Sequence, residues 1–194
     1  MPSKIVVIQG HPDCAPERFC RALADAYARG AASAGHEVRR IDVASLDFPL
    51  LRTQTDFERG IVPPAIAEAQ ETIRWADHLT FVYPLWLGDA PALLKGFIEQ
   101  TFRPGFALRY REGRLPYGLL KGKSARLIVT MGMPALVYRF YFFAHGLRNL
   151  ERNVLSYAGV SPVRDTLIGS IKSMDRATCE GWLATAESLG RRGV

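Results

Sequence analysis

The chain has 194 residues, 48% of them hydrophobic, which is enough for one globular domain with a full core and leaves no call for a second. Its formal net charge of +6 comes from 25 Lys and Arg against 19 Asp and Glu. These cations are scattered in runs no longer than two, so no nucleic-acid partner is expected; the pattern fits a solvated surface that steers anionic substrates such as nucleotides. Cys14, Cys20 and Cys179 have neither metal-ligand spacing nor an even count, which points to a reducing cytoplasm without a disulfide framework and to no metal site. Met-Pro-Ser-Lys leads directly into an apolar strand, and no apolar run approaches the ~20 residues that span a bilayer, so no stable membrane insertion is expected.

Ile5 to Ile8 is a continuous β-branched run that reads as a strand buried on both faces and ends at Gln9-Gly10-His11-Pro12. Glu17 to Ala34 carries Phe19, Leu23, Ala26 and Tyr27 at helical spacing and stops at Gly35. Val38 to Val43 reads as the second strand, and Leu46 to Gly60 as an irregular surface excursion. A helix is expected over Pro64 to Ala76, then a third strand over Leu79 to Tyr83. Pro84-Leu85-Trp86-Leu87-Gly88-Asp89 follows as a loop, and Leu93, Leu94, Phe97, Ile98 and Phe102 mark the next helix.

Arg103 to Leu119 holds too many prolines and glycines for a helix and reads as a long loop near a site. Ala125 to Thr130 is the fourth strand, followed by Met131-Gly132-Met133-Pro134 and an aromatic-rich helical stretch to about Tyr157. Val160 to Ile168 is the fifth strand; the last helix runs Asp175 to Leu189, capped by Ser173 and ended by Gly190. Five strands alternating with helices, without repeats or low-complexity linkers, give an α/β doubly wound parallel sheet over residues 1–194, in the order 2-1-3-4-5.

In such a sheet the loops after the first, third and fourth strands converge on one crevice, where free backbone amides and a helix N-terminus meet. Prolines at 84 and 91 stiffen the central loop, Gly88 permits close backbone approach, and Trp86 offers a flat apolar face, which suits a planar ring better than a bare phosphate. Neither GxGxxG nor GxxxxGK[ST] is present, so a bound nucleotide would be held by another scheme.

Three features, in this order, resemble the flavodoxin-like NAD(P)H:quinone oxidoreductase family: the Gly-His-Pro after strand one, the run Pro-Leu-Trp-Leu-Gly-Asp-Ala-Pro-Ala-Leu-Leu-Lys-Gly-Phe, and Thr-x-Gly after strand four. The resemblance implies a flavin enzyme, usually dimeric, that passes hydride from NAD(P)H to quinones or related electrophiles by a ping-pong mechanism. Its alternative is a regulatory flavoprotein subunit of a potassium-efflux transporter. It implies that His11, Arg18, Phe19 and Cys20 hold the flavin phosphate, and that Pro84, Leu85, Trp86 and Leu87 lie along the ring with Thr130, Met131 and Gly132 on the other flank. Tyr138 and His145 fall where the family stabilises the reduced ring and relays a proton, and Arg176 lies near a cation placed against the adenosine part of FAD, which favours FAD over FMN. Trp86 stands where many members have Gln, Met133 where they have a second Gly, and the Tyr138 to His145 interval is one residue longer than in the mammalian enzymes. From the residues alone, His145 reads equally as a buried structural histidine, and the aromatics 138 to 143 as a helix packed on the sheet or against a partner subunit.

Overall fold

The structure, a computed structural model, describes residues 2–111 and 113–194. Five strands form one parallel sheet: β1 (Lys4–Gln9), β2 (Glu37–Asp42), β3 (His78–Pro84), β6 (Ser124–Thr130) and β7 (Val163–Ile168), ordered β2-β1-β3-β6-β7. This is the expected arrangement of five strands; the two extra labels belong to a hairpin, β4 (Leu108–Arg111) and β5 (Arg114–Gly118). The continuous apolar runs are continuous because both faces are covered. Ile5, Val7, Val82 and Ile128 point toward α1 (Phe19–Ser33) and α6 (Arg176–Arg192), while Val6, Ile8, Phe81, Leu127 and Val129 point toward α3 (Pro64–Trp75) and α4 (Ala92–Thr101). Each such side chain, fully removed from water, contributes about 1.5–3 kcal/mol of transfer free energy.

Register brings the strand ends level. Gln9 pairs with Val82, Pro84 with Thr130, and Thr130 with Ile168, so the loops leaving β1, β3, β6 and β7 open on one edge. The chain winds outward in both directions from the β1/β3 boundary, the topological switch point where open α/β sheets form their crevice.

Several local expectations are corrected. The 103 to 119 stretch is not a plain loop: it carries the β4–β5 hairpin, with Arg111 stacked 4.4 Å from the Tyr117 ring centre. The 46 to 60 excursion contains α2 (Gln54–Arg59), whose Thr53 Oγ1 accepts from the Asp56 amide at 3.0 Å. That six-residue helix is held at its other end by Arg103, 4% exposed, which donates to the carbonyls of Asp56, Phe57 and Gly60. Asp175, not Ser173, caps α6, because its Oδ1 reaches the Thr178 amide at 2.8 Å. Gly190 lies inside α6 against the Tyr27 carbonyl, and Gly193, with φ 64°, ends the helix. The stretch after β6 is not one α-helix. A π turn over Val137–Tyr141 breaks at Phe143 and Ala144, both left-handed, before α5 (His145–Arg148) and a second π segment over Asn149–Ser156.

Candidate active site

The first loop is organised by a relay of short-range bonds. The Asp13 amide donates to His11 Nδ1 at 3.0 Å, the Ala15 amide donates to Asp13 Oδ1 at 2.9 Å, and Arg18 Nε donates to Asp13 Oδ2 at 2.7 Å. Nδ1 of neutral His11 is therefore the acceptor, which leaves its proton on Nε2. Burial first, and the Arg18 charge second, hold this imidazole below its usual pKa. Arg18 precedes α1 without offering a side-chain cap, and the first turn carries no acid. Among the described residues the Phe19 and Cys20 amides have no acceptor, so α1 opens with free donors beside two cations, Arg18 and Arg21. That end of a helix attracts an anion.

The Cys20 side chain takes no part in this. Its Sγ lies 3.2 Å from Thr130 Oγ1 in the core, and burial pushes the thiol up to about 11, so it is an inert packing group. Only the Cys20 amide faces outward chemistry. Gly10 packs closely here: a Cβ would lie 2.6 Å from Leu94 Cδ2, so that side chain would have to shift.

The second loop is tied to the third by the Leu85 amide, which donates to the Thr130 carbonyl at 2.7 Å. Beyond it the chain folds back on itself. The Trp86 amide donates to the Asp89 carbonyl at 2.9 Å and the Asp89 amide to the Trp86 carbonyl at 3.0 Å, with Leu87 at φ 48° and Gly88 at φ 85°. Two positive φ values in succession define a turn that normally selects Asn-Gly; placing leucine in the first position costs about 1–2 kcal/mol. Leu87 is fully exposed at its tip. Trp86, half exposed, meets His11 edge-on at 6.1 Å between ring centres, which joins the first two loops.

Leu85, Leu87 and Gly88 form one wall of a cleft of about 360 Å³; Met131, Gly132, Met133, Tyr138 and Phe142 form the rest. The lining is mostly apolar, and a Cβ on Gly132 would have no neighbour within 4 Å, so this backbone is open to whatever enters. Tyr138 is 1% exposed. Its O–H donates to the Gly88 carbonyl at 3.1 Å, the Leu147 amide donates to its oxygen at 3.1 Å, and burial raises its pKa. His145 is exposed, its ring 5.9 Å from that of Phe143, and it does not line the cleft.

The structure thus gathers His11, Arg18, the Phe19 and Cys20 amides, Pro84, Leu85, Trp86, Leu87, Thr130, Met131 and Gly132 at one edge of the sheet. Arg176 stands apart: its side chain is 93% exposed and its Nε is bonded to Glu180 on the same helix at 2.7 Å. Sequence reasoning placed Asp13 and Met133 in these loops without giving them a role, and missed Phe142 and Gly146. A Cβ on Gly146 would lie 2.3 Å from the Gly88 carbonyl oxygen, so this glycine lets α5 sit directly on the 86–89 turn. Its place beside His145 was the only signal. Among the described residues no cluster of His, Cys, Asp and Glu could hold a metal ion, and no helix is long and apolar enough to cross a membrane.

The donor set fits a flavin mononucleotide moiety in kind: uncapped helix amides with nearby cations for a phosphate, and a flat apolar cleft with open backbone for a ring. The class defined by fold and site is a doubly wound α/β protein with an aromatic-ring cleft at its switch point. The profile of the family described as flavodoxin-like fold matches residues 3–188, and the chain belongs to that family. An uncharacterised NAD(P)H oxidoreductase of Haemophilus influenzae is 29% identical over 174 residues, spanning 88% of this chain and 85% of that one. FMN-dependent NADH:quinone oxidoreductase 3 of Bacillus anthracis is 27% identical over 177 residues, spanning 82% and 83%. The solved structure of an NAD(P)H:quinone oxidoreductase from Methanothermobacter marburgensis superposes with a TM-score of 0.84 at 26% identity, covering 98% of each chain.

Proposed function

We propose that this protein is a flavin-dependent NAD(P)H oxidoreductase that reduces quinones or similar planar electrophiles, with FMN as its flavin. The observation that carries this reading is the pairing of an uncapped, cation-flanked α1 N-terminus with an apolar cleft between the loops after β3 and β6. Bound flavin would supply the two-electron carrier that takes hydride from NAD(P)H and passes it to the acceptor. The protein supplies the rest. The Phe19 and Cys20 amides, with Arg18 and His11 Nε2–H, would hold the phosphate; Leu85, Met131 and Gly132 of the cleft would flank the ring, with Trp86 against His11. Met133 and Phe142 add apolar surface to the cleft. His145, exposed beside the cleft, is the imidazole placed to exchange a proton with solvent.

FMN is favoured over FAD because a relative matched over 82% of the chain is named FMN-dependent, and because Arg176 is paired with Glu180. Alternate entry of NAD(P)H and acceptor to one cleft supports ping-pong kinetics. Phe140, Tyr141 and Phe143 are exposed aromatics on the segment that carries Tyr138 and Phe142, and support a homodimer. The three free cysteines fit a reducing cytoplasm.

Reconstitution tests the reading. Desalted protein incubated with FMN or FAD is expected to retain FMN in preference, to bleach anaerobically on addition of NADH or NADPH, and to recolour with a quinone. Protein that emerges colourless from both incubations would remove the function.

A further inference from the structure

The resemblance gives Tyr138 the part of a proton relay, but the geometry assigns its phenol elsewhere. We propose that Tyr138 is a positioning residue: it clamps the 86–89 turn onto the first turn of α5, and thereby holds Leu87 over the cleft as the residue that selects the electron acceptor. The clamp stands on geometry alone. Only the word acceptor rests on the flavin oxidoreductase reading.

A phenol has one proton to give. Here it goes to the Gly88 carbonyl, and the Leu147 amide occupies a lone pair on the same oxygen, both at 3.1 Å. Donating to a bound ligand would require releasing Gly88, leaving its partly buried carbonyl without this donor. The surroundings are built around the clamp. Gly146 leaves no room for a Cβ between α5 and the turn, since one would meet both the Gly88 oxygen and Asp89 Cα. The Ala144 amide donates to the Tyr138 carbonyl at 3.0 Å and the Phe142 amide to the Val137 carbonyl at 3.2 Å, so the π turn and the left-handed pair 143–144 close around the same residue. A π turn takes up one residue more than an α turn, and the Tyr138 to His145 interval carries that extra residue. Turn, π turn and α5 interlock at one hydroxyl.

What the interlock holds in place is Leu87. Left-handed leucine at a fully exposed turn tip serves neither local propensity nor core packing, yet Leu87 stands at the cleft mouth among the lining residues, with Met133 and Phe142. It carries no proton. Its contribution to any acceptor is shape, and discrimination by apolar shape runs from about tenfold upward.

The test uses Tyr138→Phe, Leu87→Gly and the double variant of the full chain. Amide hydrogen exchange on flavin-free protein reads the clamp directly: Tyr138→Phe is expected to speed exchange of the Leu147, Trp86 and Asp89 amides by about tenfold or more. With FMN bound, each single variant is expected to raise KM for a naphthoquinone relative to benzoquinone by about tenfold. The double variant should show about the same tenfold, because the two residues act as one unit. The pH profile of flavin bleaching by NADH in Tyr138→Phe should keep the limbs of the wild-type profile, since no proton is being supplied. Unchanged exchange at Leu147, or bleaching slowed about tenfold with a lost limb in the pH profile, overturns the proposal and restores the relay. Multiplicative effects near a hundredfold in the double variant would equally overturn it. Should wild-type protein bind no flavin, the function falls, while the exchange rates still decide the clamp.

Discussion

The α1–α6 face of the sheet and its carboxyl edge are built on opposite terms. On the α1–α6 face two glycines let helix backbones touch: a Cβ on Gly30 would lie 1.9 Å from the Glu187 carbonyl oxygen, and one on Gly190 would lie 2.0 Å from that of Tyr27. Backbone contact leaves nothing to rearrange. At the carboxyl edge, by contrast, all four left-handed non-glycine residues among those described, Leu87, Phe143, Ala144 and Ser170, sit in the loops leaving β3, β6 and β7. That edge also exposes Phe140, Tyr141 and Phe143. The difference teaches that rigidity comes from one face of the fold and strain is tolerated at the edge where ligands enter, because the first holds the second in shape.

Breaking the rigid face should therefore have the largest effect. Gly30→Ala forces α1 and α6 apart, since the obstacle is main chain rather than a flexible side-chain tip. Loss of about 3 kcal/mol or more of unfolding free energy is expected. Urea denaturation checks it, and a loss under about 1 kcal/mol would mean the helices slide at little cost and the comparison fails.

The same face carries a buried histidine whose titration gives the next effect. His78 is 2% exposed, its Nδ1 lies 2.7 Å from Ser124 Oγ, and burial with nearby Arg126 and Arg164 lowers its pKa from 6.5 to about 4. Because the folded value is depressed, the unfolded chain takes up the proton first as pH falls. Stability is fully present above pH 6.5, declines between 6.5 and 4, and levels below that, by about 3 kcal/mol for this residue. His78→Gln has no such proton to take up. Its unfolding free energy should vary less between pH 7 and pH 4 than that of the wild type, and parallel pH curves would refute the assignment.

How much of this was legible beforehand follows from range. β1, β3 and β6 could be read from the sequence because strands covered on both faces carry near-continuous apolar runs, and the crevice followed from their order. The β4–β5 hairpin was hidden because Gly113 and Pro116 are breakers by type and turn or edge residues by context. Ser173 and Asp175 are equally good caps as residue types, and only the bond to Thr178 separates them. Gly190 and Gly193 differ only in what lies across from them. Within the site, the loops announced themselves through Gly and Pro, but the Tyr138 hydroxyl joins residues fifty positions apart, and no local pattern encodes where a phenol's proton goes.

The smallest expected effect sharpens the other half of the comparison. Phe143 is left-handed at φ 53°, and its side chain is more than half exposed, so it is strained without being compensated by burial in the subunit. A non-glycine residue there costs about 1–2 kcal/mol, and asparagine recovers part of this because its short polar side chain accepts that conformation without the unfolded-state entropy of glycine. Phe143→Asn should therefore stabilise the subunit by about 0.5–1 kcal/mol in urea unfolding. The same change removes an aromatic from the exposed patch, so light scattering should show weaker self-association at micromolar concentration, with the two measurements moving in opposite directions. Opposite signs would identify a residue kept for a contact outside the subunit. A fall in subunit stability of about 1 kcal/mol or more would instead show that Phe143 packing holds the 137–144 segment together, and that the carboxyl edge is less strained than its dihedral angles imply.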